Sequence, residues 1–424
     1  MNLTSSTYSD VESSVGTAKN GKNFPGSTIS GNAFSDSAFS GNAEASSVVE
    51  HKEHFHGSDL EKIEAIYHIP KEEIISFAAN VNPLGLSPMV KSELADNIDV
   101  LTAYPDREYT ALRKAISEYV GAPYQNILVG NGSSELISLF AKVYNPRNAL
   151  IFGPTYSEYE HEINTGNGHC SYFELKESEN FEVNFNEFKQ AISSTGSNGE
   201  VCDLVVLCNP NNPTSALISR AGLRGIVSEC SLHNINVVVD ETYMEFVPDF
   251  ESVTAIPLCA EFSNLIVLRG ISKFFASPGL RLGYAVTQNT DLIAAINALQ
   301  IPWSINSLAE HAGKLMFNDK EYIKRTKEFI NSERERMYSE LQTVDSIKVY
   351  APFANFILCR IVKGNVTAQD LFDAAIRQKM MIRDCASFTF LDESYFRFCI
   401  MNRTDNDRLL EVIKNTFTST SSCK

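Results

Sequence analysis

No run of apolar residues in this 424-residue chain approaches the roughly 18 that a membrane helix needs, so no membrane partner is expected. Positive charge is scarce too. Lysine and arginine total 36 against 52 aspartates and glutamates, a formal net charge of −16, which argues against nucleic acid or an anionic membrane surface as a partner. The nine cysteines contain no C-x-x-C pair and no metal-ligand spacing, so no metal site is expected. Most, such as Cys208 and Cys399, lie in apolar runs and read as buried reduced thiols. Their odd number in so large a chain fits a reducing cytoplasm. The first residues lack the continuous apolar stretch of a secretory signal, and Asp10, Glu12 and Glu44 count against a transit peptide.

What the chain does have is a hydrophobic fraction of 43% and a charged fraction of 21%, ordinary for a soluble globular protein. Its length allows a large core and two domains. Residues 1–50 are rich in Ser, Gly and Asn, with SGNA repeated from Ser30 and Ser40. Such a segment cannot bury enough apolar surface to offset its ordering entropy, so a disordered tail is expected. The closing TSTSSCK, residues 418–424, reads the same way. In HKEHFHGSDL the three histidines His51, His54 and His56 lack a neighbouring Cys or acidic motif and read as a solvated cluster rather than a metal site.

From residue 74 onward short apolar runs alternate with helical patterns. ILVG (127–130), ALIFG (149–153), DLVVLC (203–208), NVVVD (236–240) and NLIVL (264–268) read as strands covered on both faces. SSELISLFAKVY and SRAGLRGIVSECSLHN read as intervening helices. The alternation predicts an α/β fold with a mostly parallel sheet. Beyond residue 300 a long charged helix, DKEYIKRTKEFINSERERMYSELQ, precedes the strands IKVY, NFILCRI, MMIRD and YFRFCI, which predicts a smaller α+β domain.

Sites in such folds gather at the carboxyl ends of the strands, and those ends carry polar residues here. NVVVD ends in Asp240 and continues into Glu241, Thr242 and Tyr243. NLIVL leads to Ser272 and Lys273, and DLVVLC runs into NPNNPT with Asn212. ILVG opens into NGSSE, where helix N–H groups and the hydroxyls of Ser133 and Ser134 make an anion site. Singly, each has a plain explanation: a Gly-Ser helix start is a cap, and an Asp after a buried strand is a cap or ion pair. Together they match one cofactor. A buried lysine amine forms an imine with an aldehyde, a carboxylate keeps a pyridine nitrogen protonated, and a helix start with an arginine binds a phosphate. That set fits pyridoxal 5′-phosphate.

The order GNGSSE…PTYSEY…NPNNPT…DETY…SKFFASPGLRLGY resembles the fold-type I pyridoxal-phosphate enzymes of the aminotransferase class I/II group, over roughly residues 54–416. Within it, the HG at 56, FAANVNPLG at 77, YPDREY at 104, PWSINSLAEHAG at 302, RDCASF at 383 and YFRFCIMNRT at 395 are similar to the threonine-phosphate decarboxylase branch of cobalamin biosynthesis, a relative of histidinol-phosphate aminotransferase. The resemblance implies a central sheet of the seven-stranded type in a large cofactor domain (86–300), a small α+β domain (301–417) and an N-terminal arm (51–85). It implies Lys273 as the imine lysine, Asp240 on the pyridine nitrogen, Asn212 and Tyr243 on the ring hydroxyl, and Tyr156 stacked on the ring. Ser133, Ser134, Ser272 and Arg281 would take the cofactor phosphate, with Tyr104 reaching that of a neighbouring subunit, which implies a homodimer. Arg383, Arg397, His56 and Asn82 would bind a small phosphorylated amino acid. Two positions depart from the family pattern: Gly270 replaces a phosphate-binding Ser, and Ser215 replaces the Gly of N-P-T-G. Decarboxylation, transamination and a non-catalytic ligand-sensing domain of this fold remain as readings; the acidic balance and the lack of a basic helix-turn-helix disfavour the last.

Overall fold

A computed structural model describes residues 57–419, except 58, 195, 197 and 198. The expected tail 1–50 and His56 lie outside the described residues. The strands, in chain order, are β1 (Ile75–Ser76), β2 (Ile127–Gly130), β3 (Ala149–Gly153), β4 (Cys170–Glu174), β5 (Leu204–Cys208), β6 (Asn236–Asp240), β7 (Leu265–Gly270), β8 (Gly283–Val286), β9 (Ile347–Val349), β10 (Phe356–Ile361), β11 (Met380–Met381), β12 (Arg383–Asp384) and β13 (Tyr395–Cys399).

Seven of them form one sheet in the order β2-β8-β7-β6-β5-β3-β4. Its strands run parallel except β8, which is antiparallel to both neighbours. The apolar runs β2, β3 and β5, and β7 with its one arginine, are buried along their whole length, as expected where helices cover both faces. Two strands of this sheet went unread in the sequence. GYAV follows a Pro-Gly turn and looks like its continuation, while CSYFE is an edge strand, only one of whose residues is buried.

Register brings the strand ends together. Cys208 pairs with Asp240, and Asp240 with Leu268. Gly283 pairs with both Gly130 and Gly270. The segments that follow β2, β5, β6 and β7 therefore emerge side by side, which sets Ser133, Asn212, Tyr243 and Lys273 around one opening.

A second sheet, β12-β13-β10-β9, is antiparallel throughout and places Arg397 directly opposite Arg383. Between the two sheets runs the segment after β1. β1 itself pairs with β11 in parallel, and the segment after it accepts Cys399 N–H at Phe77 O (2.8 Å) and donates from Asn82 N to Lys273 O (3.0 Å). The helix Lys320–Leu341 turns Tyr322, Thr326, Ile330, Met337 and Leu341 inward. From it Arg334 donates to Phe246 O, Phe353 O and Ala354 O at 2.9–3.1 Å, tying the loops of the two sheets together.

Candidate active site

Asp240 ends β6 with its carboxylate buried. Oδ1 accepts the Thr242 backbone N–H (2.8 Å) and hydroxyl (2.6 Å), and Oδ2 accepts the Tyr159 hydroxyl (2.7 Å). Burial pushes its proton affinity up, against these hydrogen bonds, which lower it. No cation lies within ion-pair distance among the described residues, so the carboxylate is buried without a counter-charge. Glu241, the next residue, enters a wholly buried cluster behind the sheet. Arg269 donates to Glu241 Oε2 from Nε (3.0 Å) and Nη2 (2.8 Å), and to Glu245 Oε1 (2.9 Å).

Lys273 stands three residues past β7. Its ammonium donates to Ala79 O (2.7 Å). Burial, then the positive charges of Arg397 and Arg281, pull its pKa from 10.5 to about 8. A substantial share of the amine is therefore neutral near physiological pH, which a nucleophile requires.

Across the opening lies the start of the helix Gly132–Tyr144, which carries Ser133 and Ser134 in its first turn. Gly132 has φ +79°, and a β-carbon there would lie 2.5 Å from Arg281 Nη2, so only glycine lets that guanidinium lie against the helix start. Gly270 shows the reverse situation. A β-carbon on it would sit in ordinary contact, 3.6 Å from Ser133 Oγ and 4.0 Å from Thr242 Oγ1, so the departure from the family pattern leaves open space in the cup. Ser272 follows two residues on. Tyr156, partly open to the cleft, meets Tyr159 edge-on with centroids 5.7 Å apart.

The arginines approach from the small sheet. Arg397 donates from Nη1 to Asn212 Oδ1 and from Nη2 to Ala78 O (2.9 Å). Its Nε has no partner among the described residues. Arg383 donates to Ser387 Oγ (2.7 Å), and its Nη1 is likewise without a partner. Both are buried, and neither has a carboxylate within ion-pair distance among the described residues. Tyr243 accepts from Asn80 Nδ2 at 3.3 Å and packs against Phe356. The Oδ1 atoms of Asn80 and Asn355 are buried without partners.

Asn82 needs a correction. Its Nδ2 donates to Phe274 O (2.8 Å), Tyr322 OH (2.9 Å) and Thr326 Oγ1 (3.1 Å), and its Oδ1 accepts Leu84 N (3.0 Å). With both amide hydrogens already outnumbered by acceptors, it clamps the arm to the long helix and to Lys273 rather than facing a ligand. Asn80, two residues earlier and at φ +56°, is the arm residue that reaches the opening. Tyr104 is 80% exposed, with its ring 4.8 Å from that of Trp303. Ser215 adopts φ +59°, the conformation that glycine favours, and its buried Oγ accepts Phe353 N (2.9 Å) and Ala354 N (2.8 Å). The side chain offsets the backbone cost by fastening the NPNNPT turn to the loop before β10.

Tyr159 and Thr242, which hold Asp240, were missed in the sequence. Thr242 was legible as the residue two past a strand-end aspartate, the usual donor to such a side chain. Nothing in the sequence marked Tyr159 apart from its helix.

The fold and this arrangement define an α/β protein with a buried lysine of lowered pKa, a buried carboxylate and a helix start around one opening at the strand ends. The chain belongs to the aminotransferase class I and II family, whose pattern covers residues 72–413. It is 37% identical to a candidate threonine-phosphate decarboxylase from Caldanaerobacter subterraneus subsp. tengcongensis, over 80% of this chain and 89% of that one. It is 32% identical to the threonine-phosphate decarboxylase of Salmonella typhimurium, over 86% and 96%. Among solved structures, the histidinol-phosphate aminotransferase from Clostridium acetobutylicum superposes with a TM-score of 0.74 at 31% identity, covering 81% of this chain and 99% of that one. Among the described residues, no helix is long and apolar enough to cross a membrane.

Proposed function

We propose that this chain is a pyridoxal 5′-phosphate-dependent carboxy-lyase acting on a phosphorylated amino acid, with L-threonine O-3-phosphate as substrate and 1-amino-2-propanol phosphate as product. The observation that carries this reading is the pair Arg383 and Arg397. Two buried guanidiniums without carboxylate partners are costly unless a ligand neutralises them, and each keeps an unused N–H. A substrate with a carboxylate and a phosphate supplies that charge. The similarity to the two decarboxylases above supports it further.

The residues fit the cofactor. Asp240 lacks a counter-charge that a protonated ring nitrogen would provide. Ser133, Ser134, Ser272 and Arg281 surround the helix start where its phosphate would bind. Asn212 and Tyr243 offer an amide and a hydroxyl toward the ring hydroxyl, and Tyr156 offers a ring face. When bound, pyridoxal phosphate supplies a ring that draws electrons from the substrate's α-carbon. Lys273 would hold the cofactor covalently and later move a proton at the α-carbon. Arg397 and Arg383 would orient the substrate so that its α-carbon–carboxylate bond stands perpendicular to the ring. That bond breaks, carbon dioxide leaves, and a proton takes its place. The open space at Gly270 predicts one fewer phosphate contact than the family norm.

The working unit is a homodimer with shared sites. Tyr104 and Trp303 stand exposed beside Leu101 and Ile301, which are 54% and 73% exposed, an apolar patch suited to a second copy. Residues 86–300 and 301–417 serve as large and small domains around the site, with 51–85 as the arm. The described cysteines are all free, which suits a reducing cytoplasm.

Arg397→Lys tests the substrate reading. An ammonium cannot reproduce the guanidinium fork, so kcat/KM for threonine phosphate should fall roughly tenfold to a hundredfold, and that for threonine far less. A wild-type enzyme with no preference for the phosphorylated substrate would overturn it. The other reading, an aminotransferase acting on a histidinol-phosphate-like substrate, is favoured by the Clostridium acetobutylicum structure and predicts amination of the cofactor instead.

A further inference from the structure

Away from the strand ends, a cleft of about 600 Å³ opens between the helix Thr110–Val120, the Phe250–Glu251 turn and the first turns of Lys320–Leu341. Its volume falls in the range of small-molecule sites. Tyr119, Phe250, Phe317 and Ile323 form an apolar, largely aromatic floor. Lys320, Ile323, Lys324 and Lys327 follow one another at helical spacing and line one wall.

Lys327 stands out among the three lysines. Its ammonium lies 4.1 Å from the centroid of the Phe250 ring. It has no carboxylate oxygen within ion-pair distance among the described residues, and burial draws its pKa down. Glu251, Glu245 and Asp249 act on it at longer range, but none pairs with it, so this half-buried ammonium over an aromatic floor can take one negative charge on a flat apolar body. The acids Glu118, Glu251 and Glu328 also line the cleft, Glu328 paired with Lys324 at 3.9 Å, and they disfavour a dianion such as a phosphate monoester, so this cleft differs in preference from the arginine pair.

We propose that this cleft is a second small-molecule site that takes a planar aromatic monocarboxylate, its ring against Tyr119 and Phe317 and its carboxylate on Lys327. The wall it would touch continues into the clamp on Lys273. Ile323 and Lys327 each lie one residue beyond Tyr322 and Thr326, whose hydroxyls hold Asn82, and Asn82 N donates to Lys273 O. An occupant would therefore bear on the helix that fixes the backbone of the candidate catalytic lysine.

Calorimetric titration of the full-length protein, saturated with pyridoxal phosphate, with sodium 2-naphthoate tests this. The expected result is saturable binding to one site per chain, undiminished by threonine phosphate and weakened roughly tenfold or more in Lys327→Met. The neutral 2-naphthamide should lose a similar factor. Lys327→Gln provides a second variant that keeps the length and polarity of the side chain. Absence of saturable binding would overturn the proposal, as would equal affinity in both variants. Displacement of naphthoate by threonine phosphate would place the probe in the main site and overturn it as well.

Discussion

Lys273 in the cofactor-free protein should titrate near pH 8, and the consequences are measurable in two ways. Its pKa falls from 10.5 to about 8, through burial first and then through Arg397 and Arg281. At pH 7.5 that leaves roughly a quarter of the amine neutral, against about one in a thousand for an ordinary lysine. The rate at which cofactor-free protein covalently captures pyridoxal phosphate should therefore rise with pH to a plateau with a midpoint near 8. Replacing Arg397 with glutamine should move the midpoint upward.

The same shift governs stability. A depressed lysine pKa means that the unfolded chain holds the proton more tightly than the folded one. Stability therefore rises with pH between about 8 and 10.5, and the cost is full below that window, on the order of 3 kcal/mol. Against Lys273→Met, wild type should gain about 2 kcal/mol in urea unfolding between pH 7 and 9.5. A capture midpoint near pH 10, with no difference in pH dependence between the two proteins, would refute the reasoning.

Asp240→Asn should still bind the cofactor, yet turn over at least about a hundredfold more slowly, because the ring nitrogen loses its charged partner; near-normal turnover would remove Asp240 from the proposed role. Ser215→Ala leaves the buried Ala354 N–H without an acceptor and takes from Phe353 N–H one of its two, the Ser215 carbonyl (3.3 Å) remaining, and urea unfolding should show a loss of about 1–3 kcal/mol; a loss under about 0.5 kcal/mol would mean that the loop finds other partners. Mixing Lys273→Ala with Tyr104→Phe should restore activity if sites are shared, since hybrid dimers then contain one intact site; no recovery despite demonstrated subunit exchange would count against sharing.

Much of the architecture was legible because a covered parallel sheet writes itself as short apolar runs. The limits of β2, β3 and β6 match the runs ILVG, ALIFG and NVVVD. Strand ends in register then gather Asp240, Tyr243, Ser133 and Lys273, so a one-dimensional list of strand-end polar residues pointed to a three-dimensional site. Packing decided what stayed hidden. β8 starts at a glycine that pairs with two other strand-end glycines, and no local pattern reveals such a partner. Asn82 reads like a ligand contact, yet its amide is fully occupied by backbone and hydroxyl groups from residues 274, 322 and 326. Ser215 reads as a defect in a glycine turn. Its compensation comes from Phe353 and Ala354, more than a hundred residues away.

The most direct test of the central claim is analysis of the products formed from L-threonine O-3-phosphate by the purified protein loaded with pyridoxal phosphate. The account predicts stoichiometric carbon dioxide and 1-amino-2-propanol phosphate over many turnovers, with the cofactor remaining in its aldehyde form. Conversion of the cofactor to its aminated form, with a keto acid and no carbon dioxide, would contradict it.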